Sequence, residues 1–347
     1  MIFPRLDLRE AATVRPPPED FVFADFPFDV GLYGMLIGPD GARKSWVALH
    51  IAIGVAAGLP IAGGLWPAPQ HSGRVVYYAG EDPRRQLRNR YWAIAHQQGY
   101  ENISDLDDRL DVVPVLDMPE GIALLNQTRD GIERTSWVEK IIEHSRGARL
   151  VILDPLADLM GGVEENSSQV GMEEKQTLRL ISREVGCPIL IAHHQSKFAM
   201  QNGAADNQSA RGSSVVPAGA RWSMICQPIR TVEELLTVTG EGKFGTIDIA
   251  ERERRRWTRV VNPKNSYGET DNNKFIYHYQ NSTDTNGDEI PGAPLVRDIH
   301  SCYGQKQKPQ HVRRGLANVV GSGADEFDQG KAEAERKALA AALGVTP

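Results

Sequence analysis

Nowhere in the 347 residues is there a run of about 20 apolar side chains, the length a helix needs to cross a bilayer. The first residues alternate charges with prolines and offer no hydrophobic signal core. These absences lead to the expectation of a cytoplasmic protein without a membrane partner. Cysteine is scarce: Cys187, Cys226 and Cys302 are odd in number and far apart. Such spacing excludes a disulfide framework and a cysteine metal site, and leaves three thiols as small core residues in a reducing compartment. Positive charge is not in excess either. The formal net charge of −6 confines any nucleic-acid contact to a local patch. Internal repeats are absent, and 41% hydrophobic residues suffice for a sizeable core.

What is present is a regular alternation. Residues 33–37, 74–79, 110–115, 150–154 and 188–193 are short Val/Ile-rich runs bounded by turn residues, and read as buried strands. Between them lie helical patterns. Leu87, Tyr91 and Ile94 recur at helical spacing within 83–98, as do Leu178, Ile181 and Val185 within 168–186. Strands alternating with helices imply an α/β fold, a mainly parallel sheet covered on both faces, with its site beyond the carboxyl ends of the strands. After about residue 220 the pattern changes. Residues 222–229, 235–239 and 258–262 read as close-set strands without intervening helices, an antiparallel C-terminal extension of the same sheet. Three regions follow: an arm over 1–30, a core over 31–267, and an extension over 268–347. The arm is stiffened by Pro16, Pro17 and Pro18 into an extended conformation, and its Phe21, Phe23, Phe26 and Phe28 either dock on the core or on a neighbouring subunit, or merely lid the sheet. In the extension, residues 268–297 read as loops and 331–343 as a short terminal helix.

Gly38-Pro39-Asp40-Gly41-Ala42-Arg43-Lys44-Ser45 lies between a predicted strand and a predicted helix, the context a phosphate-binding loop requires. Backbone N–H groups and the helix N-terminus would hold phosphates, Lys44 would reach the β- and γ-phosphates, and the Ser45 hydroxyl would ligate Mg2+. The ligand read from this pattern is Mg-ATP. Arg43 stands where the pattern has its second glycine. A left-handed conformation there would cost about 1–2 kcal/mol, and the side chain could add a phosphate contact. Taken alone, the segment is also compatible with a Gly-rich turn before a helix.

Three later strands end in polar groups. Val151-Ile152-Leu153-Asp154 offers a carboxylate for the Mg2+ shell, or a cap for the next turn. Val75-Val76-Tyr77-Tyr78-Ala79-Gly80-Glu81-Asp82-Pro83 offers Glu81 to polarise water. Asp82 reads as the N-cap of a helix with Pro83 at its first position. Ile189-Leu190-Ile191-Ala192-His193-His194 offers a histidine to sense the γ-phosphate. A shift of one residue in register would exchange His193 and His194. No acidic or cysteine partner is spaced to make the two histidines a zinc site.

These segments, taken with His193-His194-Gln195-Ser196-Lys197, Ser209-Ala210-Arg211-Gly212-Ser213-Ser214, Ala220-Arg221-Trp222 and Lys264-Asn265-Ser266-Tyr267-Gly268, resemble the RecA-like hexameric replicative helicases of the plasmid RepA type. The resemblance spans roughly residues 15–270. It implies a RecA-like P-loop NTPase core and a hexamer of identical subunits with ATP at each interface. Gly38, Gly41, Ala42, Arg43, Lys44, Ser45 and Trp46 would line the nucleotide, with Ser45 and Asp154 serving Mg2+. Glu81 would be the catalytic carboxylate and His194 the γ-phosphate sensor, while Arg90 would lie near the base. Arg221 would act across the interface as a finger, supported by Lys264. The loop over 195–214 would meet single-stranded DNA, although Lys197, Arg211 and Phe198 are its only cations and aromatic. Two other functions fit the same loop: a regulatory ATPase working through a protein partner, and a small-molecule kinase. Nothing in the chain reads as an acceptor pocket for the latter.

Overall fold

In the computed structural model the described residues are 5–98, 106–129, 131–164, 167–196, 210, 212–232, 234–235, 247–268, 274–279, 281–283, 287 and 289–296. Helix α1 (Leu8–Thr13) is followed by the hairpin β1 (Phe21–Phe23) and β2 (Phe26–Pro27), then β3 (Tyr33–Gly38), α2 (Lys44–Ala57), β4 (Val75–Ala79), α3 (Arg84–Gln97) and β5 (Leu110–Pro114). A small hairpin, β6 (Leu125–Gln127) and β7 (Ile132–Arg134), precedes α4 (Trp137–Ser145), β8 (Leu150–Asp154), α5 (Ser168–Val185), β9 (Ile189–His194) and β10 (Trp222–Pro228). The chain continues through β11 (Trp257–Asn265), β12 (Lys274–His278), β13 (Ser282–Thr283), β14 (Glu289–Ile290) and β15 (Pro294–Val296).

One nine-stranded sheet runs β15-β12-β11-β10-β3-β9-β8-β4-β5. From β10 to β5 every pairing is parallel, and from β10 outward to β15 every pairing is antiparallel. The parallel part follows from its residues. Met35 and Ile37, Val76 and Tyr78, Val151 and Leu153 face one side with α4 and α5. Leu36, Val75 and Tyr77, Leu150 and Ile152 face the other with α2 and α3. Both sides of each strand are therefore apolar, as a sheet covered by helices requires. Helix α2 is buried almost all round, from Val47 to Ala56, because it lies between the sheet and the residues that cover it.

The arm docks on its own core. Phe23 and Phe26 each lie 5.2 Å from the Trp222 ring, and the Trp222 indole N–H donates to the Ala24 carbonyl at 3.1 Å. Arg149 closes on both oxygens of Asp20 at 3.0 and 2.5 Å and covers the Phe28 ring at 4.5 Å.

The structure differs from the sequence expectation at four places. The arm is not extended throughout, since Asp7 caps α1 by accepting from the Arg9 and Glu10 N–H groups. Asp82 does not cap α3. That helix starts at Arg84 after Pro83 with no side-chain cap, and Asp82 pairs instead with Arg90, a charge-assisted bond that satisfies it in a half-buried place. Residues 222–265 do contain helix. Leu235 lies in a helical turn and Ile247–Arg254 is α-helical, while 236–239 fall outside the described residues. Residues 268–297 are not only loops, because β12 and β15 extend the main sheet and β13 pairs with β14. Lys197, Phe198, Arg211, Cys302 and the helix read over 331–343 lie outside the described residues. Among the described residues no helix is long and apolar enough to cross a membrane.

Candidate nucleotide site

Parallel pairing puts the carboxyl ends of β3, β4, β8 and β9 along one edge. Gly38 sits beside His194, and Ala79 beside Asp154. The loop that leaves β3 is shaped by its glycines. A β-carbon on Gly38 would come within 2.6 Å of the Cys226 carbonyl oxygen, so only glycine fits between β3 and β10. Gly41 has φ +73° with open space around it, so its need is conformational. Arg43 adopts φ 66°, ψ 25°, the left-handed region, immediately before α2. Its guanidinium reaches into the antiparallel extension. It donates to Thr258 Oγ1 at 2.8 Å, the Arg255 carbonyl at 2.5 Å and His278 Nδ1 at 3.1 Å. At about 0.5–1.5 kcal/mol each, these bonds offset the backbone cost of about 1–2 kcal/mol. The expected phosphate contact by Arg43 is replaced by an anchor in the antiparallel extension.

Lys44 is buried, and its ammonium donates to the carbonyls of Gly38 at 2.9 Å and Pro39 at 3.0 Å. Asp154 is 2% exposed. Its Oδ2 accepts from the Tyr77 hydroxyl at 2.5 Å, whereas its Oδ1 is buried with no hydrogen-bond partner. Burial raises the Asp154 pKa; the Tyr77 and Ser45 hydroxyls and the Lys44 charge oppose that rise. A buried carboxylate oxygen left without a donor beside a serine hydroxyl suits a hydrated hard cation.

His194 stands between two carboxylates. Its Nδ1 is 2.7 Å from Asp40 Oδ1, and its Nε2 is 3.2 Å from Glu81 Oε1. The hydrogen bond to Glu81 raises the His194 pKa from its ordinary 6.5, against the effect of burial. The same bond lowers the Glu81 pKa below its ordinary 4.5, so Glu81 is an ionised carboxylate at neutral pH. Register decides between the two histidines: His194 turns toward Glu81, while His193 lines the opposite side of the sheet with Glu174 and Met160.

Trp46 and Arg90 border this edge. The Arg90 guanidinium lies 5.4 Å over the Trp46 ring and is held by Asp82. Arg221 and Lys264 do not join the group. Trp222 pairs with Gly34, and Ser223 with Lys264, so both cations stand at the amino end of β3. The four residue steps from Gly34 to Gly38 span about 13 Å along the strand. Arg221 is exposed. Lys264 donates to the carbonyls of Pro217 and Ala218 at 3.4 and 3.3 Å, and burial followed by the charge of Arg221 lowers its pKa.

Residues missed in the sequence include Tyr77, Asp40, Thr258 and His278. A tyrosine in an apolar strand carried a signal, since its buried hydroxyl needs a partner. Thr258 and His278 carried none, being 215 and 235 residues from Arg43.

A family model described as an AAA domain matches residues 3–200, more than half of the 347. The chain belongs to the AAA domain family. Its described residues carry the Gly38–Ser45 loop at the carboxyl edge of a mainly parallel sheet with helices on both faces. Among solved structures, a DnaB-like replicative helicase, described with its interactions with primase, is 11% identical over 78% of this chain at a TM-score of 0.48. The match spans 64% of the helicase chain. The flagellar accessory protein FlaH from Methanocaldococcus jannaschii is 12% identical over 78% of this chain and 92% of that one, at a TM-score of 0.41. The RadB recombinase is 16% identical over 79% and 94%, at a TM-score of 0.40. These scores carry no functional argument, and the fold of this AAA domain rests on its own strand order.

Proposed function

We propose that this chain hydrolyses ATP at the carboxyl edge of its sheet as one subunit of a ring-forming DNA helicase of the plasmid RepA type, working in the cytoplasm. The observation that carries the reading is the meeting of Lys44, Ser45, Glu81, Asp154 and His194 at one edge while Arg221 stands at the other end of the strands. If Arg221 serves this site, it comes from a second copy, as a ring of like subunits allows.

In this reading the loop amides of residues 38–45 and the α2 N-terminus hold the phosphates, and Lys44 leaves its two carbonyls to meet the β- and γ-phosphates. Ser45 and Asp154 would hold Mg2+, which when bound would supply positive charge to offset that of the phosphates. Glu81, ionised and half-exposed, accepts the proton of the attacking water. His194 bridges Glu81 and the loop residue Asp40, so a γ-phosphate arriving at the loop is felt at both its nitrogens. Arg221 of a neighbouring copy, with Lys264 beside it, stabilises charge on the transferred group. Trp46 and Arg90 flank the base.

A second reading, an ATPase regulated by a protein partner, is favoured by the net charge of −6. Steady-state hydrolysis with and without single-stranded DNA separates the two, with Lys44→Ala and Glu81→Ala as controls. The helicase reading expects stimulation by DNA that both variants abolish and that weakens with added salt. Hydrolysis indifferent to DNA would sink it in favour of the partner-regulated ATPase.

A further inference from the structure

Arg43, Trp46 and His50 recur at i, i+3 and i+7, so they share one face of α2 and its entry. The first two meet the C-terminal strands. Arg43 donates to Thr258 on β11, His278 on β12 and the Arg255 carbonyl before β11. The Trp46 ring meets the His278 ring edge-on at 5.4 Å. Buried His50 turns its Nδ1 to the Gln98 side-chain amide at 3.2 Å, and the neighbouring Gln97 Oε1 accepts from the Ala293 N–H at 2.6 Å. An amphipathic core helix would need only apolar contacts here. Instead a guanidinium and an indole fasten the extension to the helix that follows the phosphate loop.

We propose that Arg43 is a positioning residue through which the antiparallel extension sets the conformation of the phosphate loop, so that nucleotide affinity depends on His278 and Thr258. Arg43 itself occupies the left-handed position, and its side chain is fixed by three acceptors on another part of the fold. A shift of β11 or β12 therefore pulls directly on the residue between Ala42 and Lys44. Glycine at this position would supply the same backbone conformation without the link. His278 serves as a neutral acceptor, since burial and the nearby Arg43, Arg256 and Arg90 push its pKa down to about 4. The inference rests on the reading of residues 38–45 as a nucleotide site.

The test is a double-mutant cycle. Equilibrium binding of ATP with Mg2+ is measured by calorimetry on wild type, His278→Ala, Arg43→Gly and the double variant. His278→Ala is expected to weaken binding about tenfold when Arg43 is present and by less than about twofold on the Arg43→Gly background. His278→Asn, whose Oδ1 stands where Nδ1 stood, is expected to restore affinity to within about twofold of wild type. Equal weakening on both backgrounds, or none on either, would overturn the proposal. If the wild type binds no ATP, the nucleotide reading itself falls, and the link is judged by amide hydrogen exchange at residues 39–45 without nucleotide. Faster exchange in His278→Ala than in wild type, with no further gain on Arg43→Gly, upholds it; identical exchange in wild type and His278→Ala overturns it.

Discussion

His194 is held by Asp40 on one ring nitrogen and by Glu81 on the other, and this arrangement has a measurable pH signature. The raised His194 pKa contributes stability that is complete below 6.5 and lost as pH rises through the folded value. The lowered Glu81 pKa contributes stability present above 4.5 and lost as pH falls through its folded value. Both contributions coexist between about 4.5 and 6.5. The difference in unfolding midpoint between wild type and His194→Gln should peak in that window and shrink on either side. A difference that stays flat across about pH 4–9 would contradict the bridge. Both residues were legible in the sequence as groups ending apolar strands, but not their mutual contact, which depends on register. Asp82 was misread because its sequence signal, an acid before proline, is local, whereas its partner Arg90 lies two turns into the helix it was expected to cap.

At the scale of elements, the parallel strands and the helices between them were readable because each strand is a continuous apolar run and each helix keeps its period. The register of β8 against β4, which puts Asp154 beside Ala79, follows from that pattern. The antiparallel extension was less readable. Strand β12, Lys274–His278, mixes polar and apolar residues and is flanked by Asn, Asp and Gly, so local chemistry resembles a loop while pairing with β11 decides the outcome. The arm was readable as aromatic and docked, but the choice of its own core over a neighbouring subunit depends on Trp222 lying beneath it. Trp222 is fully buried and fixes both Phe23 and Phe26. Trp222→Ala should therefore cost about 3–5 kcal/mol in denaturant unfolding and free the arm to proteolysis before residue 28. A cost under about 1 kcal/mol would mean that the arm does not depend on this ring.

For the whole molecule, the separation of Arg221 from the phosphate loop makes a statement about assembly. If each site is completed by a neighbour, Arg221→Ala and Lys44→Ala are both inactive alone, yet a mixture contains interfaces with an intact loop and an intact finger. Mixing the two variants should restore a fraction of hydrolysis, and the fraction should vary with protein concentration. No recovery in mixtures that demonstrably co-assemble would count against a shared site. The central claim, however, concerns the edge itself: that Lys44 and Glu81 act on one bound nucleotide in different ways. Binding and turnover of Mg-ATP measured together on wild type, Lys44→Ala and Glu81→Gln test it most directly. Lys44→Ala should lose binding, while Glu81→Gln should bind as wild type does and hydrolyse about 10²–10⁴-fold more slowly. Turnover by Glu81→Gln at the wild-type rate would contradict the account.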